Sequence, residues 1–228
     1  MHYHNVIPAV FLERVNRFIA RVLIAGDETR VHVRNTGRCR ELLVPGAAVL
    51  IEASPRPERK TAWTLIAVYK GDRLVNIDSL APNRLVFDAL LDGGLPSVGR
   101  VDSARREVTY GRSRFDLYFE TGGRGGFIEV KGVTLERDGL ALFPDAPTGR
   151  GARHIAELIT AAAQGYSAYI IFVIQMKGVS RFTANAATDP AFAAALKLAA
   201  RQGVGVLAYD SLVAPGETHL GDPVPVVL

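Results

Sequence analysis

Cys39 is the only cysteine among the 228 residues. A lone cysteine excludes an internal disulfide and any multi-cysteine zinc site. No apolar run is long enough for a membrane span; the longest, Tyr169 to Met176, is strand-sized. The opening residues, Met1-His2-Tyr3-His4-Asn5, have neither a basic n-region nor a secretory apolar stretch. Together these absences lead to the expectation of a cytoplasmic chain with no membrane partner. No Ser/Cys–His–Asp arrangement is visible. The Gly-rich segment 122–126 lacks the Lys-Ser/Thr that would make it a phosphate-binding Walker loop. There is no internal repeat and no low-complexity tract.

What is present suits a globular protein. Hydrophobic residues make up 48% of the chain, enough for a sizeable core in one large or two small domains. The net charge is +4, unevenly spread: residues 1–80 hold 12 Lys+Arg against 8 Asp+Glu, and residues 81–228 hold 15 against 15. Arginine outnumbers lysine 22 to 5, a bias that suits phosphate forks or equally reflects the base composition of the genome. The surplus is a weak pointer to nucleic acid.

Turn signals divide residues 11–80 into about five short strands, at 18–24, 29–33, 48–53, 63–69 and 73–77. Many short strands between frequent turns suggest a small barrel, of which the five-stranded OB-fold is one form. Near residue 80 the pattern changes. Asn83 reads as the N-cap of a helix through Leu91, closed by Gly93-Gly94. Strands are expected at about 105–110, 114–120, 127–135 and 139–143. A helix should follow over 151–164, then a buried strand over 168–175. Asp189-Pro190 opens an alanine-rich helix to Gln202, and 204–209 reads as a last central strand. The expectation is two domains. Residues 1–80 form an OB-like nucleic-acid-binding barrel, and residues 81–228 an α/β domain with helices packed on a mixed sheet.

The chemistry concentrates in two strands. Alternation places Arg114, Asp116 and Tyr118 on one face and Phe115, Leu117 and Phe119 on the other. Glu129 and Lys131, two apart, share a face, and the glycines of 122–126 permit a reversal between the strands. Such a hairpin could bring Asp116 and Glu129 together beside Lys131. Two carboxylates offer hard oxygen ligands to Mg²⁺, and a neighbouring lysine can stabilise an anion or help activate water. This is the pattern of a metal-dependent nuclease. E-x-K on a strand equally marks a solvated face, with the aspartate pairing to the lysine across the sheet.

Other candidates surround these. Arg34, Arg38 and Arg40 flank the turn Asn35-Thr36-Gly37, a plausible phosphate grip or a merely solvated turn. The loop Phe143-Pro144-Asp145-Ala146-Pro147-Thr148 leads into a helix with Arg150, His154 and Glu157 on one side. That side could serve a phosphate, or could be solvated with Arg153 pairing to Glu157. Gln175 ends an apolar strand, where it reads equally as a site residue or a polar cap. Cys39 reads as a packing residue.

Taken together, these motifs resemble the sugar fermentation stimulation protein family. The resemblance rests on Asn35-Thr36-Gly37, Leu43, Pro45-Gly46, Ser113-Arg114-Phe115-Asp116, Glu129-Val130-Lys131-Gly132-Val133-Thr134-Leu135, Phe143-Pro144-Asp145-Ala146, Thr148, Arg150-Gly151 and His154. Order and spacing match over nearly the whole chain. Two positions depart from the pattern: Gly132, where a polar residue commonly follows the lysine, and Gly149, where glutamate is common. The resemblance implies an OB-like domain followed by a domain like the PD-(D/E)xK nucleases. It implies largely non-specific DNA binding and a role in sugar, especially maltose, utilisation. Asp116 and Glu129 would hold one or two divalent ions, Mg²⁺ or Mn²⁺, and Lys131 would complete the signature. Arg34, Asn35, Thr36, Arg38, Arg40, Arg114, Arg150 and His154 would meet nucleic acid, DNA sooner than RNA. Two functions follow as expectations: a Mg²⁺-dependent phosphodiesterase, or a non-catalytic DNA-binding regulator on a silent nuclease scaffold.

Overall fold

The computed structural model describes every residue except 36, 56, 57 and 59. Six strands come first: β1 (Val6–Arg14), β2 (Ile19–Ile24), β3 (Asp27–Val33), β4 (Ala48–Ala53), β5 (Trp63–Lys70) and β6 (Arg73–Asn76). They lie in the order β3-β2-β1-β4-β5-β6, and a further parallel pairing of β3 with β5 closes a five-stranded barrel. Phe11, Val22, Val33, Val49, Ile51 and Leu65 fill it.

The barrel therefore differs in membership from the sequence reading. β1 is its first strand and β6 is a hairpin appended to β5. Pro8 conceals β1 in the sequence, because proline argues against a paired strand. In the fold, Pro8 pairs with Leu50 of β4, and β2 begins pairing only from Val10 onward. The missing N–H thus falls where β1 has a neighbour on one side only.

The second domain opens with α1 (Ala81–Leu91), followed by β7 (Ser103–Tyr110), β8 (Ser113–Thr121), β9 (Arg124–Val133), β10 (Leu135–Arg137) and β11 (Leu140–Phe143). Then come α2 (Gly149–Ala163), β12 (Ser167–Ile174), β13 (Arg181–Ala184), α3 (Pro190–Arg201), β14 (Gly205–Ala214), β15 (Glu217–Pro223) and β16 (Val226–Val227). The main sheet has the order β15-β14-β12-β9-β8-β7, parallel at its centre and antiparallel at both edges. A smaller sheet, β10-β11-β13-β16, stands beside it. α1 covers one face of the main sheet through Leu85, Val86 and Leu90. α2 and α3 cover the other through Ile155, Leu158, Phe192 and Leu196. β13, β15 and β16 escape a reading of the sequence because they are short or polar.

Asn83 does not cap α1. Pro82 occupies the first turn, and Asn83 lies inside the helix with its amide spent elsewhere. Thr148 caps α2 by accepting the Gly151 N–H at 3.1 Å, and Asp189 caps α3 by accepting that of Phe192 at 2.9 Å.

A buried polar network joins the domains. Gln175 Nε2 donates to Asn76 Oδ1 at 2.8 Å and to the Asp78 carbonyl at 3.1 Å. Asn76 Nδ2 donates to the Tyr3 hydroxyl at 2.8 Å. Arg34 Nη1 meets Asp78 Oδ2 at 3.0 Å. Gln175 is thus a junction residue. Lys70 and Arg73 add a second tie, both reaching Glu136 Oε2, at 2.7 and 3.0 Å.

Burial holds the Asp78 carboxyl above its usual range, although Arg34 pulls it down. A raised folded pKa stabilises the fold at low pH, and that contribution disappears as pH rises through it. Arg34→Met leaves the Asp78 charge buried without its cation. The variant is expected to lose up to about 3 kcal/mol in urea denaturation near neutral pH. Most of the deficit should vanish as pH falls and Asp78 protonates. An equal deficit at both pH values would instead assign the loss to Arg34 packing.

Candidate active site

The β8–β9 ladder runs from Thr121–Arg124 to Leu117–Ile128 and stops there. The next residues are Asp116 and Glu129. On the other side of β8, the ladder to β7 pairs Arg106 with Leu117 and Val108 with Phe115 but skips Asp116. Glu107, opposite the gap, has a φ of 57°, a left-handed conformation uncommon for a residue with a side chain. Asp116 is therefore released from the ladder on both sides. Its Oδ2 accepts the Val130 N–H at 2.8 Å, in place of a strand carbonyl, and its Oδ1 accepts Asn83 Nδ2 at 2.7 Å.

The same irregularity breaks the expected alternation. Leu117 and Phe119 pack toward α1. Phe115, expected on that face, packs instead with Phe127 at a ring-centroid distance of 5.2 Å and with His154 at 6.3 Å.

Glu129 is buried, with its carboxylate toward α2. Lys131 Nζ donates to Glu129 Oε1 at 2.5 Å, and His154 Nδ1 hydrogen-bonds the same oxygen. Arg150 Nε donates to His154 Nε2 at 3.2 Å. That bond assigns the ring proton to Nδ1, facing the carboxylate. Glu129 Oε2 is buried and has no hydrogen-bond partner among the described residues.

Electrostatics separate the two acids. Burial, and then the Glu129 charge, push the Asp116 carboxyl above its usual range. Burial would raise Glu129 as well, but the His154 hydrogen bond and the Lys131 charge outweigh it and hold the carboxyl low. Glu129 is an anion fixed by two donors, and Asp116 bears the cost of standing near it.

The expected nucleic-acid residues are dispersed. Arg34 is committed to Asp78. Asn35 builds the turn, donating to the Ile77 carbonyl at 2.8 Å and accepting the Gly37 N–H at 2.7 Å. Thr36 lies outside the described residues. Arg38 and Arg40 are exposed, and the Arg38 N–H donates to Asp145 Oδ2 at 2.8 Å. Arg114 is exposed beside Glu107, 3.6 Å away. Arg150 is exposed at the start of α2, whereas His154 is buried among that helix's apolar residues. Cys39 is buried, and burial pushes its thiol up to about 12, so it is no nucleophile.

Two side chains were missed in the sequence. Asn83 carried the signal of a helix cap, and only the packing of α1 against the end of β8 reveals its contact with Asp116. Arg14 holds the 35–38 turn from beneath, donating to the carbonyls of Asn35, Gly37 and Arg38 at 2.6, 2.7 and 3.0 Å. An arginine inside a strand gives no local sign of this.

A cleft of about 480 Å³ lies between the domains. Arg17 and Arg38 edge it, the 143–148 loop forms a wall, and Gly132 and Gln175 line it. A side chain at Gly132 would meet Gln175 Oε1 at 2.6 Å and Pro82 Cγ at 2.9 Å. The absence of a polar side chain there thus permits close approach of the junction glutamine. A second hollow, of about 390 Å³, shares Arg17 and Arg38 and adds Arg40.

Comparison with known proteins agrees with this architecture. Residues 12–77 match the family model described as SfsA N-terminal OB domain, and residues 80–217 the one described as Sugar fermentation stimulation protein RE domain. The sugar fermentation stimulation protein homolog of Alkaliphilus oremlandii is 52% identical over 231 residues, covering 99% of this chain and 98% of its own length. That of Clostridium beijerinckii is 48% identical over 228 residues and the whole of both chains. A solved structure described as Pyrococcus furiosus SfsA in complex with Ca²⁺ has a TM-score of 0.90 at 31% identity, covering 100% of this chain and 98% of that one. No helix among the described residues is long and apolar enough to cross a membrane. With a barrel and a mixed-sheet domain each matching its own model, and relatives aligned from end to end, the chain belongs to the sugar fermentation stimulation protein family.

Proposed function

We propose that this protein is a divalent-metal-dependent phosphodiesterase acting on nucleic acid, DNA sooner than RNA. The observation that carries the reading is the unpartnered, buried Glu129 Oε2 near an Asp116 whose ionisation Glu129 opposes. A carboxylate oxygen without a donor and a neighbouring acid under strain are both relieved by a cation. The donor set is all oxygen and suits Mg²⁺ or Mn²⁺. Asp116 and Glu129 would hold the ion, which would supply Lewis acidity at a phosphodiester. The relative from Pyrococcus furiosus is described in complex with Ca²⁺, another oxygen-seeking ion, and this supports the reading.

The chain's own residues then have separable tasks. Asn83 and the Val130 amide fix the Asp116 carboxylate, and His154 fixes Glu129. Lys131 is partly exposed beside Glu129, so its ammonium is available to charge developing on a phosphate oxygen. The OB domain and the basic cleft edge support sequence-tolerant binding of the polyanion. A second reading is a non-catalytic DNA-binding regulator of sugar utilisation; the family name supports its link to sugar.

A metal-titrated cleavage assay on single- and double-stranded DNA and RNA separates these readings. Lys131→Ala is expected to slow cleavage about 100-fold or more while leaving calorimetric Mn²⁺ binding and nucleic-acid binding nearly intact. Asp116→Asn should lose both cleavage and Mn²⁺ binding. A wild type that cuts nothing with Mg²⁺ or Mn²⁺ would sink the enzyme reading in favour of the regulator.

With Arg34 committed to Asp78, the exposed grip shifts to Arg17, Arg38 and Arg40. Replacing these three by serine should flatten the slope of log K against log salt by up to about 2–3 on duplex DNA. An unchanged slope would move the binding surface off the barrel.

A further inference from the structure

The chain's first residues do not belong to the barrel sheet. The Met1 amino group donates to the Thr218 carbonyl at 2.8 Å. The Thr218 N–H returns a bond to the Met1 carbonyl at 2.9 Å, and the Tyr3 N–H reaches the Gly216 carbonyl at 2.7 Å. His2 and Glu217 form an antiparallel bridge between these bonds. Strand alternation places Glu217 and His219 on one face of β15, with Thr218 buried on the other. The bridge adds His2 to the exposed face.

Three side chains converge there. His2 Nδ1 lies 3.5 Å and His219 Nε2 3.3 Å from the same Glu217 Oε2. One ligand atom from each residue lies within 4.8 Å of the others. Metal–ligand bonds of about 2.1 Å in tetrahedral geometry set ligand atoms about 3.4 Å apart. The two histidine–carboxylate distances already match that edge. The imidazoles are held edge to face, with ring centroids 5.8 Å apart.

We propose that His2, Glu217 and His219 form a site for a borderline transition ion, Zn²⁺ in the first instance, that clasps the start of the chain to β15. Two imidazoles and one carboxylate select such an ion over Mg²⁺ or Ca²⁺. The site is therefore chemically distinct from the all-oxygen pair Asp116 and Glu129. Three protein ligands leave a fourth position for water. The clasp has structural reach, because the next residue, Tyr3, carries its hydroxyl into the domain junction beside Asn76 and Asp78. An ion at His2 ties the segment that enters β1 to the sheet of the other domain.

The test uses the untagged full chain, freed of metal with a chelator and titrated with Co²⁺ and Zn²⁺. In Asp116→Asn, which lacks the acidic pair, one Co²⁺ per chain should bind, with the visible ligand-field absorption of low-coordinate cobalt, and Zn²⁺ should displace it. Loss of outer-shell partners alone weakens metal sites by about 10–100-fold, so loss of a ligand in His2→Ala or His219→Ala should weaken Zn²⁺ binding by about 100-fold or more. Zn²⁺ should raise the melting temperature of the wild type but not of His219→Ala. Both histidines are exposed, so these variants keep the fold. Asp116→Asn should retain the ion. Undiminished Zn²⁺ affinity in both histidine variants would overturn the clasp. So would binding that survives His219→Ala and disappears in Asp116→Asn, which would assign the ion to the acidic pair.

Discussion

Asp116 takes the Val130 amide with its side chain because the strand ladder ends one residue earlier. The left-handed backbone at Glu107 breaks pairing on the other edge of the same residue. An aspartate in a continuous ladder would point straight off the sheet, away from the edge of β9. Here it is drawn to the edge of β9, beside the first turn of α1 and close enough to Glu129 for the two charges to oppose each other. Removing an unpaired carboxylate from water costs several kcal/mol unless donors or a cation replace the lost hydration. Asn83 and Val130 supply two donors. The remaining opposition between the two acids is what a cation, if bound as proposed, would relieve.

The domain junction depends on a comparable accounting of polar groups. Gln175 spends its side-chain N–H groups on the chain leaving the barrel, and Asp78 is tolerated at zero exposure only because Arg34, Tyr3 and the Leu80 amide surround it. A half-satisfied network in that position would destabilise the junction more than an apolar one would. The junction consequently resists sliding, and the basic turn of the barrel keeps a fixed relation to β9. Asp145 strengthens this by taking the Arg38 N–H from across the cleft.

Much of this was legible in the sequence, because it was carried by local patterns. Alternation and turn glycines located β8 and β9, and Asp189-Pro190 marked the start of α3. The pairing of Glu129 with Lys131 on one face followed from period two alone. What was not legible depended on distant chain. Pro8 argued against a strand that the fold accommodates by leaving one side open. Asn83 resembled a cap, yet it serves an aspartate 33 positions away. His154, read as a surface contact on a helix face, is buried because the Thr148 cap starts α2 with that face toward β9. Arg34 resembled a phosphate fork and instead neutralises a buried acid. In each case a polar residue had two plausible partners, and only the three-dimensional neighbourhood selected one.

Sorting the arginines by burial sharpens the functional argument. Guanidinium groups that organise structure, on Arg14 and Arg34, face carbonyls and a carboxylate and are not free for a ligand. Those on the cleft edge, Arg17 and Arg38, and Arg40 in the neighbouring hollow remain solvated. A polyanion is attracted to exposed cations and repelled by acids, so on the proposed reading the edge and the acidic pair would act in opposite directions on nucleic acid. That conflict is resolved if a cation sits on the carboxylates, because the pair then changes from a repulsive to an attractive element. Nucleic acid and metal should accordingly bind with positive coupling, each raising the affinity of the other by the same factor. That coupling would serve a metal-loaded binding protein as well as an enzyme, so it is the placement of Lys131 beside Glu129, and not the acids alone, that favours the catalytic reading proposed above.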